Sequence, residues 1–566
     1  MPFRRGACVG LTCIYAERVS IRPPASLPRT FVALTAAGLL SLAACTDDGV
    51  GSSGSDETPQ PVEGGTVSVR GCSPQNALVP GNTAEVCGGD IIDATTAMLV
   101  RYDTETGVAE NDVAQSITTT DNRTYTVRLR PGYVFQDGSK VEASNFVDAW
   151  NHTAYAPNRQ VNAPFFTPIS GYTQVHPGDG SAPTARTMRG LSVVDEHTFT
   201  ITLERPVSDF VLRLGYRAFA PLPDSFFADP ESFARLPVGA GPYQVSRVEG
   251  GLITLTRFAS YSGPTPGHVD EVRVRLYGNV DAAYKDMQGG LLDVSRDLPR
   301  SAIANGRYRR DFPGRNLTRP IATTTSLNFA APQTDPSVQN PALRQALSMA
   351  IDRSEIIHDH FGGQHAPATG WVSPLVAGYR PGGCGIYCSY DPEQAARLLE
   401  QAGGYSGQLT LWYNADSDHG QWTTGVCRSI RLALGVDCVS TPVLDLSTLR
   451  TRIENDSITG MYRSAWAMNY PSVDNYLAPL FSTRGMANAS GYSNPAFDAA
   501  LLEAAAAPDD ESRATRYQQA EHMLQADMPS IPLFNHRAVA VWSPRVTNVW
   551  LTPKGAVDLT RLRVVR

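Results

Sequence analysis

Three histidines are the first residues of this chain whose types and spacing could support chemistry. His358 and His360 stand two positions apart and His365 follows, an arrangement that could supply imidazole ligands to a metal ion. They lie in a polar stretch that contains Gly362 and Gly363, and surface histidines are far more often solvated than ligating. We therefore predict no metal site and no cofactor.

Catalytic motifs are missing from the sequence. There is no G-x-S-x-G nucleophile turn, no H-E-x-x-H zinc helix and no phosphate-binding loop. Residues 239–242 are rich in glycine, but Pro242 prevents this segment from opening a helix on a phosphate. The prediction is a protein that is not an enzyme.

Residues 42–45, Leu-Ala-Ala-Cys, resemble the lipobox of bacterial lipoproteins. They follow an apolar run over 31–41 with Arg22 and Arg29 upstream, which is the order of a secretory signal. The apolar run is too short to span a bilayer, which takes about 20 residues. We expect removal of residues 1–44 and a lipid on Cys45, so that an exported protein is anchored to the outer face of the cytoplasmic membrane.

Beyond Cys45 the chain keeps six cysteines. An even number of cysteines outside the cytoplasm suggests disulfides, and six cysteines permit 15 pairings. The rival interpretation is a metal site built on Cys384 and Cys388. The glycine-rich loop around these two cysteines and the oxidising location favour a disulfide instead. Closeness in sequence favours the pairs Cys72 with Cys87, Cys384 with Cys388 and Cys427 with Cys438.

Charge and length restrict the partners and the architecture. From Cys45 onward the chain has 43 basic and 54 acidic residues, a net charge of −11, which argues against nucleic acid and against a broad anionic membrane surface. Its 522 residues are too many for one hydrophobic core. Residues 46–64 hold almost no apolar side chains and predict a flexible tether over 45–64.

Strands and helices alternate through the remaining chain. Alternation of polar and apolar residues predicts strands over 124–130, 198–203, 252–256 and 272–276. Asn or Asp followed by Pro predicts helix starts, for helices over 342–353 and 393–401 and from 495 onward. A last helix is predicted over 513–527, before Pro529. This interleaving indicates an α/β or α+β protein of several domains.

Six segments in order resemble one family, the extracellular solute-binding proteins of the oligopeptide, dipeptide and nickel importers. Residues 238–243, Val-Gly-Ala-Gly-Pro-Tyr, are similar to the family's G-T-G-P-Y segment, with Ala240 in place of threonine. The central helix of the family is similar to residues 343–353, Leu-Arg-Gln-Ala-Leu-Ser-Met-Ala-Ile-Asp-Arg. The other similar segments are 121–138, 146–151, 491–498 and 528–533. Together they place the resemblance over residues 65–566.

This resemblance implies an α/β fold of the type II periplasmic-binding-protein clamp, with two lobes and an additional inserted domain. We expect lobe I at 65–98, 190–322 and 536–566, the inserted small domain at 99–189 and lobe II at 323–535. Such a clamp holds its solute in the cleft, mostly through the peptide backbone, and closes about hinge strands. It implies a monomer that delivers oligopeptides to the permease subunits of an ABC importer.

The resemblance also implies a binding segment around residues 463–471. In the family this segment carries an Arg, a Trp and, three residues after the Trp, an Asp that holds the peptide's α-ammonium group. Trp466 would floor a side-chain pocket next to Ala465, and Arg463 would face a carboxylate, although core packing and a surface ion pair remain open for the two. Asn469 stands where the Asp is expected and lacks its charge. Either Asp474 substitutes for it, or the solute has no free α-ammonium.

Further contact positions are implied by the same family. Residues 83–88 resemble the strand edge that pairs with peptide backbone, and a Cys72–Cys87 bridge would stiffen that edge. The remaining implied contacts are Glu85, Val86, Phe165, Phe166, Arg296 and Asp297.

Two other functions stay open. The loss of charge at Asn469 raises the possibility of a transport-inactive lipoprotein that acts as an envelope regulator or scaffold. The clamp could also receive a non-peptide solute such as nickel or haem, or a modified peptide, with the three histidines as the sole support for the metal-bearing solutes.

Overall fold

A computed structural model of the protein describes residues 60–566. The predicted signal segment, the lipid site Cys45 and most of the predicted tether lie outside the described residues. The tether prediction is wrong for its last residues, because Pro61 and Val62 form a strand that pairs with Val565 and Val564 near the C-terminus.

The described chain alternates strands and helices, as its residue pattern predicts. The strands are β1 (Pro61–Val62), β2 (Thr66–Gly71), β3 (Val100–Tyr102), β4 (Ala109–Asn111), β5 (Ala114–Thr118), β6 (Thr124–Leu129), β7 (Leu191–Asp195), β8 (Thr198–Thr202), β9 (Tyr243–Glu249), β10 (Leu252–Arg257), β11 (Glu271–Leu276), β12 (Val294–Ser295), β13 (Asn316–Phe329), β14 (Ala366–Pro367), β15 (Gln408–Asn414), β16 (Asp437–Val443), β17 (Met461–Ala467), β18 (Ser530–Trp542), β19 (Val546–Thr547) and β20 (Arg563–Val565).

The α-helices of the described residues lie between these strands. They are α1 (Val86–Thr95), α2 (Ala143–Ala154), α3 (Tyr172–Val175), α4 (Phe210–Arg213), α5 (Asp224–Ala228), α6 (Pro230–Arg235), α7 (Val280–Gln288), α8 (Arg300–Ile303), α9 (Arg307–Asp311), α10 (Pro341–Met349), α11 (Arg353–Phe361), α12 (Pro392–Gln401), α13 (Gly420–Leu434), α14 (Leu446–Glu454), α15 (Asp474–Phe481), α16 (Pro495–Ala505) and α17 (Asp510–Asp527).

A mixed sheet of 11 strands forms the largest element of the fold. Its order is β16-β15-β17-β13-β18-β12-β2-β11-β10-β9, with β14 on β18. The two longest strands, β13 and β18, pair antiparallel in its middle. The predicted lobe boundaries at 322/323 and 535/536 fall inside these two strands, so each of them would cross from one lobe to the other. The residue boundaries of the two lobes stay a prediction.

A second sheet of four antiparallel strands, in the order β5-β6-β8-β7, is built on an aromatic core. Trp150 of α2 is fully buried and packs edge-on against Phe199 and Phe219, with ring centroids 5.6 and 5.2 Å apart. Because β8 pairs with β6 and β7 pairs with β8, residues 191–202 share a sheet with the predicted inserted domain. We propose that this domain extends past 189 to include them.

The predicted helix starts are built as their sequences indicate. The side chains of Asn340, Asp391 and Asn494 accept hydrogen bonds from backbone N–H groups in the first turns of α10, α12 and α16. The predicted helix over 342–353 is two helices, because α10 ends at Met349 and Asp352 caps the new helix α11. The sequence pattern missed this break, since apolar Ala350 and Ile351 continue the buried face.

Three disulfides join the pairs that closeness in sequence favours. Cys72 bonds to Cys87, Cys384 to Cys388, and Cys427 to Cys438. The last of these links α13 to β16 across the edge of the large sheet.

Within residues 60–566, no helix combines the length and the apolar character that crossing a membrane requires.

Candidate functional site

Strand β17 carries the predicted binding segment at a place where the large sheet opens. On one side β17 pairs with β13 along its whole length, from Met461 opposite Phe329 to Ala467 opposite Thr323. On its other side the pairing with β15 covers only Met461 and Tyr462, among the strand pairs of the described residues. From residue 463 onward, β17 therefore presents an edge on which an extended chain could add as a further strand.

Trp466 lies on this open stretch and is partly buried. Its ring packs against the hydrophobic cluster that contains Trp371 and Tyr476, and its indole N–H donates to Asn475 Oδ1 at 3.4 Å. One part of the ring thus belongs to the core and another part remains accessible. Core packing and a role as a pocket floor are both compatible with this position.

Asn469 follows the end of β17 and is held through its backbone. Its N–H donates to Asn475 Oδ1 at 2.9 Å, and the N–H of Met468 donates to Ala322 O at 2.8 Å. Its side chain is half-buried and makes no hydrogen bond within the described part of the chain.

Asp474 does not replace the missing charge of residue 469. It is only 4% exposed and receives hydrogen bonds from Arg213 at 2.6 Å and from the Tyr470 hydroxyl at 2.7 Å. The proximity of Asp209 and Asp474, together with burial, raises the pKa of Asp209. The structure therefore contradicts the expectation that Asp474 binds the α-ammonium group of a solute, because its carboxylate is already paired with Arg213.

Arg463 is the first residue of the open stretch of β17. Its Nε donates to Asn414 Oδ1 at 2.7 Å, and the Asn414 amide in turn bonds to Asp416. Burial lowers the pKa of Arg463 to about 10, and the nearby Asp416 opposes this shift. No carboxylate of the described residues lies within ion-pair distance of Arg463. The geometry leaves its terminal nitrogens available to an acidic group.

Neutral histidines surround Arg463. Burial and the charge of Arg463 lower the pKa of His419 to about 3 and that of His536 to about 4. His536 bonds to the Thr325 hydroxyl at 2.7 Å, and its ring lies 4.7 Å from the ring of His365. Burial also lowers the pKa of His365, to about 2.

The three histidines that suggested a metal site point in different directions. His358 is 84% exposed beside Asp359, His360 bonds to Arg300 at 2.9 Å, and His365 stacks on Phe534. Over residues 60–566, no cluster of three or more His, Cys, Asp or Glu side chains is arranged to hold a metal ion.

The strand edge predicted over 83–88 is wrong. Val86 begins helix α1, and Glu85 caps that helix by accepting the Gly88 N–H at 2.8 Å. The Cys72–Cys87 disulfide therefore ties β2 to the first turn of a helix. Val86 is 50% exposed, and any contact of Glu85 or Val86 with a solute stays a prediction.

Phe165 and Phe166 belong to the aromatic core of the small sheet. Phe165 packs on Tyr216 with ring centroids 4.4 Å apart, and Phe166 is fully buried against Phe219 at 4.8 Å. This burial contradicts a direct solute contact by Phe166 in this conformation, because its side chain has no exposed surface.

Arg296 and Asp297 take part in ion pairs with neighbouring elements. Arg296 pairs with Asp90 and donates to Gly555 O at 2.9 Å, while Asp297 pairs with Arg70. These partners explain the two residues structurally, and their contact with a solute stays a prediction.

A cavity of about 870 Å³ lies beside the end of the binding segment. Met468 contributes to its wall, which otherwise comes from residues 90–112, 242–268 and 548–563. Lys554 lines it and pairs with Asp93 at 3.3 Å, and Arg217 bonds to the same carboxylate at 2.8 Å. Burial raises the pKa of Asp93, whereas Arg217 and Lys554 lower it, and the net result is a lowered pKa.

Three residues of this site were missed from the sequence: Asn414, His536 and Asn475. Each reaches the segment 463–469 from a different element, namely β15, β18 and α15. The polar pair 474–475 at the start of an apolar helix is the single local signal that could have pointed to one of them.

Comparison with known proteins places this arrangement in a family. Residues 109–488 match the family model described as bacterial extracellular solute-binding proteins, family 5 Middle. The glutathione-binding protein GsiB of Escherichia coli K12 is 25% identical over 459 residues, which cover 78% of this chain and 84% of that protein. GsiB of Salmonella typhimurium is 26% identical over the same shares of the two chains.

Solved structures confirm the predicted fold class, an α/β two-lobed clamp with an additional domain. The Escherichia coli murein tripeptide binding protein MppA superposes with a TM-score of 0.77 at 23% identity, covering 89% of this chain and 99% of that chain. Haemophilus influenzae OppA in complex with the peptide RPPGFSPFR gives a TM-score of 0.75 at 21% identity, covering 90% of this chain and 100% of that chain.

The family match extends over well more than half of the chain, and it agrees with the resemblance inferred from six sequence segments. It also agrees with the prediction that the protein is not an enzyme. The chain belongs to the bacterial extracellular solute-binding proteins of family 5.

Proposed function

We propose that the protein is a lipid-anchored receptor that captures peptide-like solutes outside the cell and delivers them to the permease of an ABC importer. The observation that carries this proposal is the open edge of β17 between Arg463 and Ala467. The backbone of an extended peptide can pair with such an edge whatever its side chains are, which suits a receptor for many sequences. Ala465 would contribute its backbone to this pairing.

The names of the compared proteins support a peptide as the solute. GsiB is named for glutathione, MppA for a murein tripeptide, and OppA is described in complex with a nine-residue peptide. In the proposed receptor, Trp466 floors a pocket for one side chain and Arg463 receives an acidic group of the solute. The lipid on Cys45 would keep the receptor close to the permease.

The neutral Asn469 favours a solute whose amino end carries no charge. A hydrogen bond to a charged group contributes about 1.5–3 kcal/mol, against about 1 kcal/mol for a neutral one. Because Asp474 is committed to Arg213, an ammonium placed at residue 469 would lack a nearby free carboxylate. A peptide with a blocked amino end loses nothing at this position.

Calorimetric titration with three related peptides tests the proposal. The probes are Ala-Ala-Ala, its N-acetyl form and its C-terminal amide. We expect acetylation to change the Kd less than about threefold, whereas amidation weakens binding about tenfold or more because it removes the charge that Arg463 would meet.

Matched variants show whether the predicted pocket is used. Trp466→Ala should weaken binding about tenfold, because it removes a large apolar surface from the pocket. Trp412→Ala serves as the control, since its indole N–H bonds to Thr459 O and the ring lies beneath Arg452. Binding of none of the probes, with no peptide found by mass spectrometry in the purified protein, would contradict the receptor and favour the transport-inactive lipoprotein.

A further inference from the structure

The first turn of α15 contacts both the binding segment and helix α4, which follows the four-stranded sheet in the chain. Asp474 and Asn475 are adjacent in sequence, but their side chains have different partners. Asp474 bonds to Arg213, whereas Asn475 bonds to the chain between Trp466 and Asn469. Two neighbouring residues thus link the binding segment to helix α4, although Arg213 and Asp474 are 261 positions apart in sequence.

Asn475 holds the end of the binding segment through a single atom. The side chain is fully buried, and its Oδ1 accepts the Asn469 N–H at 2.9 Å and the Trp466 indole N–H at 3.4 Å. Its Nδ2 is buried with no hydrogen-bond partner within the described residues. The oxygen of Asn475 therefore fixes the backbone of residue 469 and the ring of residue 466 together.

Asp474 anchors the same turn of α15 to residues 205–213. Besides Arg213 and Tyr470, the hydroxyl of Tyr517 reaches its carboxylate at 3.3 Å. The guanidinium of Arg213 also lies over the Tyr470 ring, 5.1 Å from its centroid. A carboxylate buried to this degree depends on its cation, so loss of Arg213 would force the first turn of α15 to rearrange.

Residues 205–213 dock onto this region through more than the ion pair. The N–H of Ser208 donates to Ala505 O at 2.8 Å, and the Ser208 hydroxyl receives Arg513 at 3.1 Å. Asp209 bonds to the Ser472 hydroxyl. Because residues 205–213 follow β8 of the four-stranded sheet, this docking joins that sheet to the helices α15–α17.

We propose that the Arg213–Asp474 pair is a latch that couples docking of residues 205–213 to the geometry of the solute site, with Asn475 as the positioning residue. When the latch is closed, α15 is held and Asn475 fixes Trp466 and Asn469. When residues 205–213 move away, Asp474 loses its cation, the first turn of α15 shifts and the two solute-facing residues lose their common anchor. The meaning of this latch for capture and release rests on the proposed function.

Hydrogen–deuterium exchange of the solute-free protein tests the coupling. We expect Arg213→Met to speed exchange of the Asn469 amide, measured on a peptide covering 463–470, by about tenfold or more. Asn475→Leu should speed the same amide, because it removes the oxygen that accepts the N–H. The matched control is Arg545→Met, which breaks another ion pair with a buried carboxylate, that of Asp293, and should leave exchange over 463–470 unchanged.

Two results would overturn the latch. One is unchanged exchange over 463–470 in Arg213→Met although residues 205–216 exchange faster. The other is an equal increase in the Arg545→Met control, which would indicate general loosening. If Arg213→Met does not fold, Arg213→Lys keeps the buried charge without the planar guanidinium, and the same two criteria apply. No solute is needed, so a failure of the peptide titrations bears on the proposed function and leaves this test intact.

Discussion

At the scale of single residues, Asn469 is the position where one atom changes the expected recognition. An aspartate there would offer a full negative charge to an ammonium group, whereas the asparagine offers a neutral oxygen. The structure adds that its backbone is fixed by Asn475 and that the carboxylate of Asp474 is already paired with Arg213. The side chain at 469 is therefore the group that would decide how a free amino end is held.

Asn469→Asp should tighten binding of Ala-Ala-Ala about tenfold and leave its N-acetyl form unchanged, because the new charge acts on the ammonium alone. Calorimetric titration of both peptides at neutral pH measures the difference. Asn305→Asp is the control, since Asn305 is exposed in the turn between α8 and α9. An unchanged or weaker affinity for Ala-Ala-Ala would contradict the assignment of position 469.

At the scale of elements, local sequence signals located the helices α10, α12, α16 and α17 and the strands β6, β8, β10 and β11, but not the long central strands β13 and β18. The capping residues Asn340, Asp391 and Asn494 act within one turn of their own helices, so they can be identified from sequence. Residues 83–88 resemble a strand edge of the solute-binding family, but they do not form a strand. Instead, the Glu85 carboxylate caps helix α1.

The cap at Asp391 gives a quantitative test at this scale. Asp391→Ala should lower the free energy of unfolding by about 1 kcal/mol, because the Gln394 N–H loses its acceptor at the start of α12. Urea unfolding monitored by circular dichroism measures this loss. Glu400→Ala, an exposed change at the other end of the same helix, should change stability by less than about 0.5 kcal/mol.

At the scale of the whole molecule, three partly buried histidines link stability to pH. The ring of His365 lies 4.7 Å from that of His536, and the charge of Arg463 acts on both His419 and His536. Their pKa values in the fold, about 2, about 3 and about 4, are below the usual value of about 6.5 for histidine. The unfolded chain therefore binds protons in a range where the folded protein does not.

The neutral histidines should accordingly contribute fully to the free energy of unfolding above about pH 6.5. This contribution should fall as the pH decreases from about 6.5 toward about 4. His365→Phe keeps the stacking on Phe534 and removes one of these groups, so the loss of Tm between pH 7 and pH 5 should shrink by roughly 2 °C. Differential scanning calorimetry at the two pH values measures it. His358→Gln, on an exposed side chain, should leave the pH dependence unchanged, and an equal effect of both variants would contradict the explanation.

The sequence by itself determined the features that depend on neighbours along the chain. These include the alternating strands, the capped helices, the close cysteine pairs and the six ordered segments that indicated a solute-binding clamp. It also singled out Arg463, Trp466 and Asn469 as a candidate site, because the segment that contains them resembles the binding segment of the family.

Only the tertiary structure decided what surrounds that site. Sequence offers no rule that brings Asn414, Asn475 and His536 close to one strand, or that pairs Asp474 with an arginine of helix α4. Likewise, a phenylalanine suits both a solute pocket and a hydrophobic core, and only the observed burial of Phe166 excludes it from the solute contacts. Hydrogen bonds and packing across long sequence separations depend on the final arrangement of the sheets, and a linear pattern does not contain that arrangement.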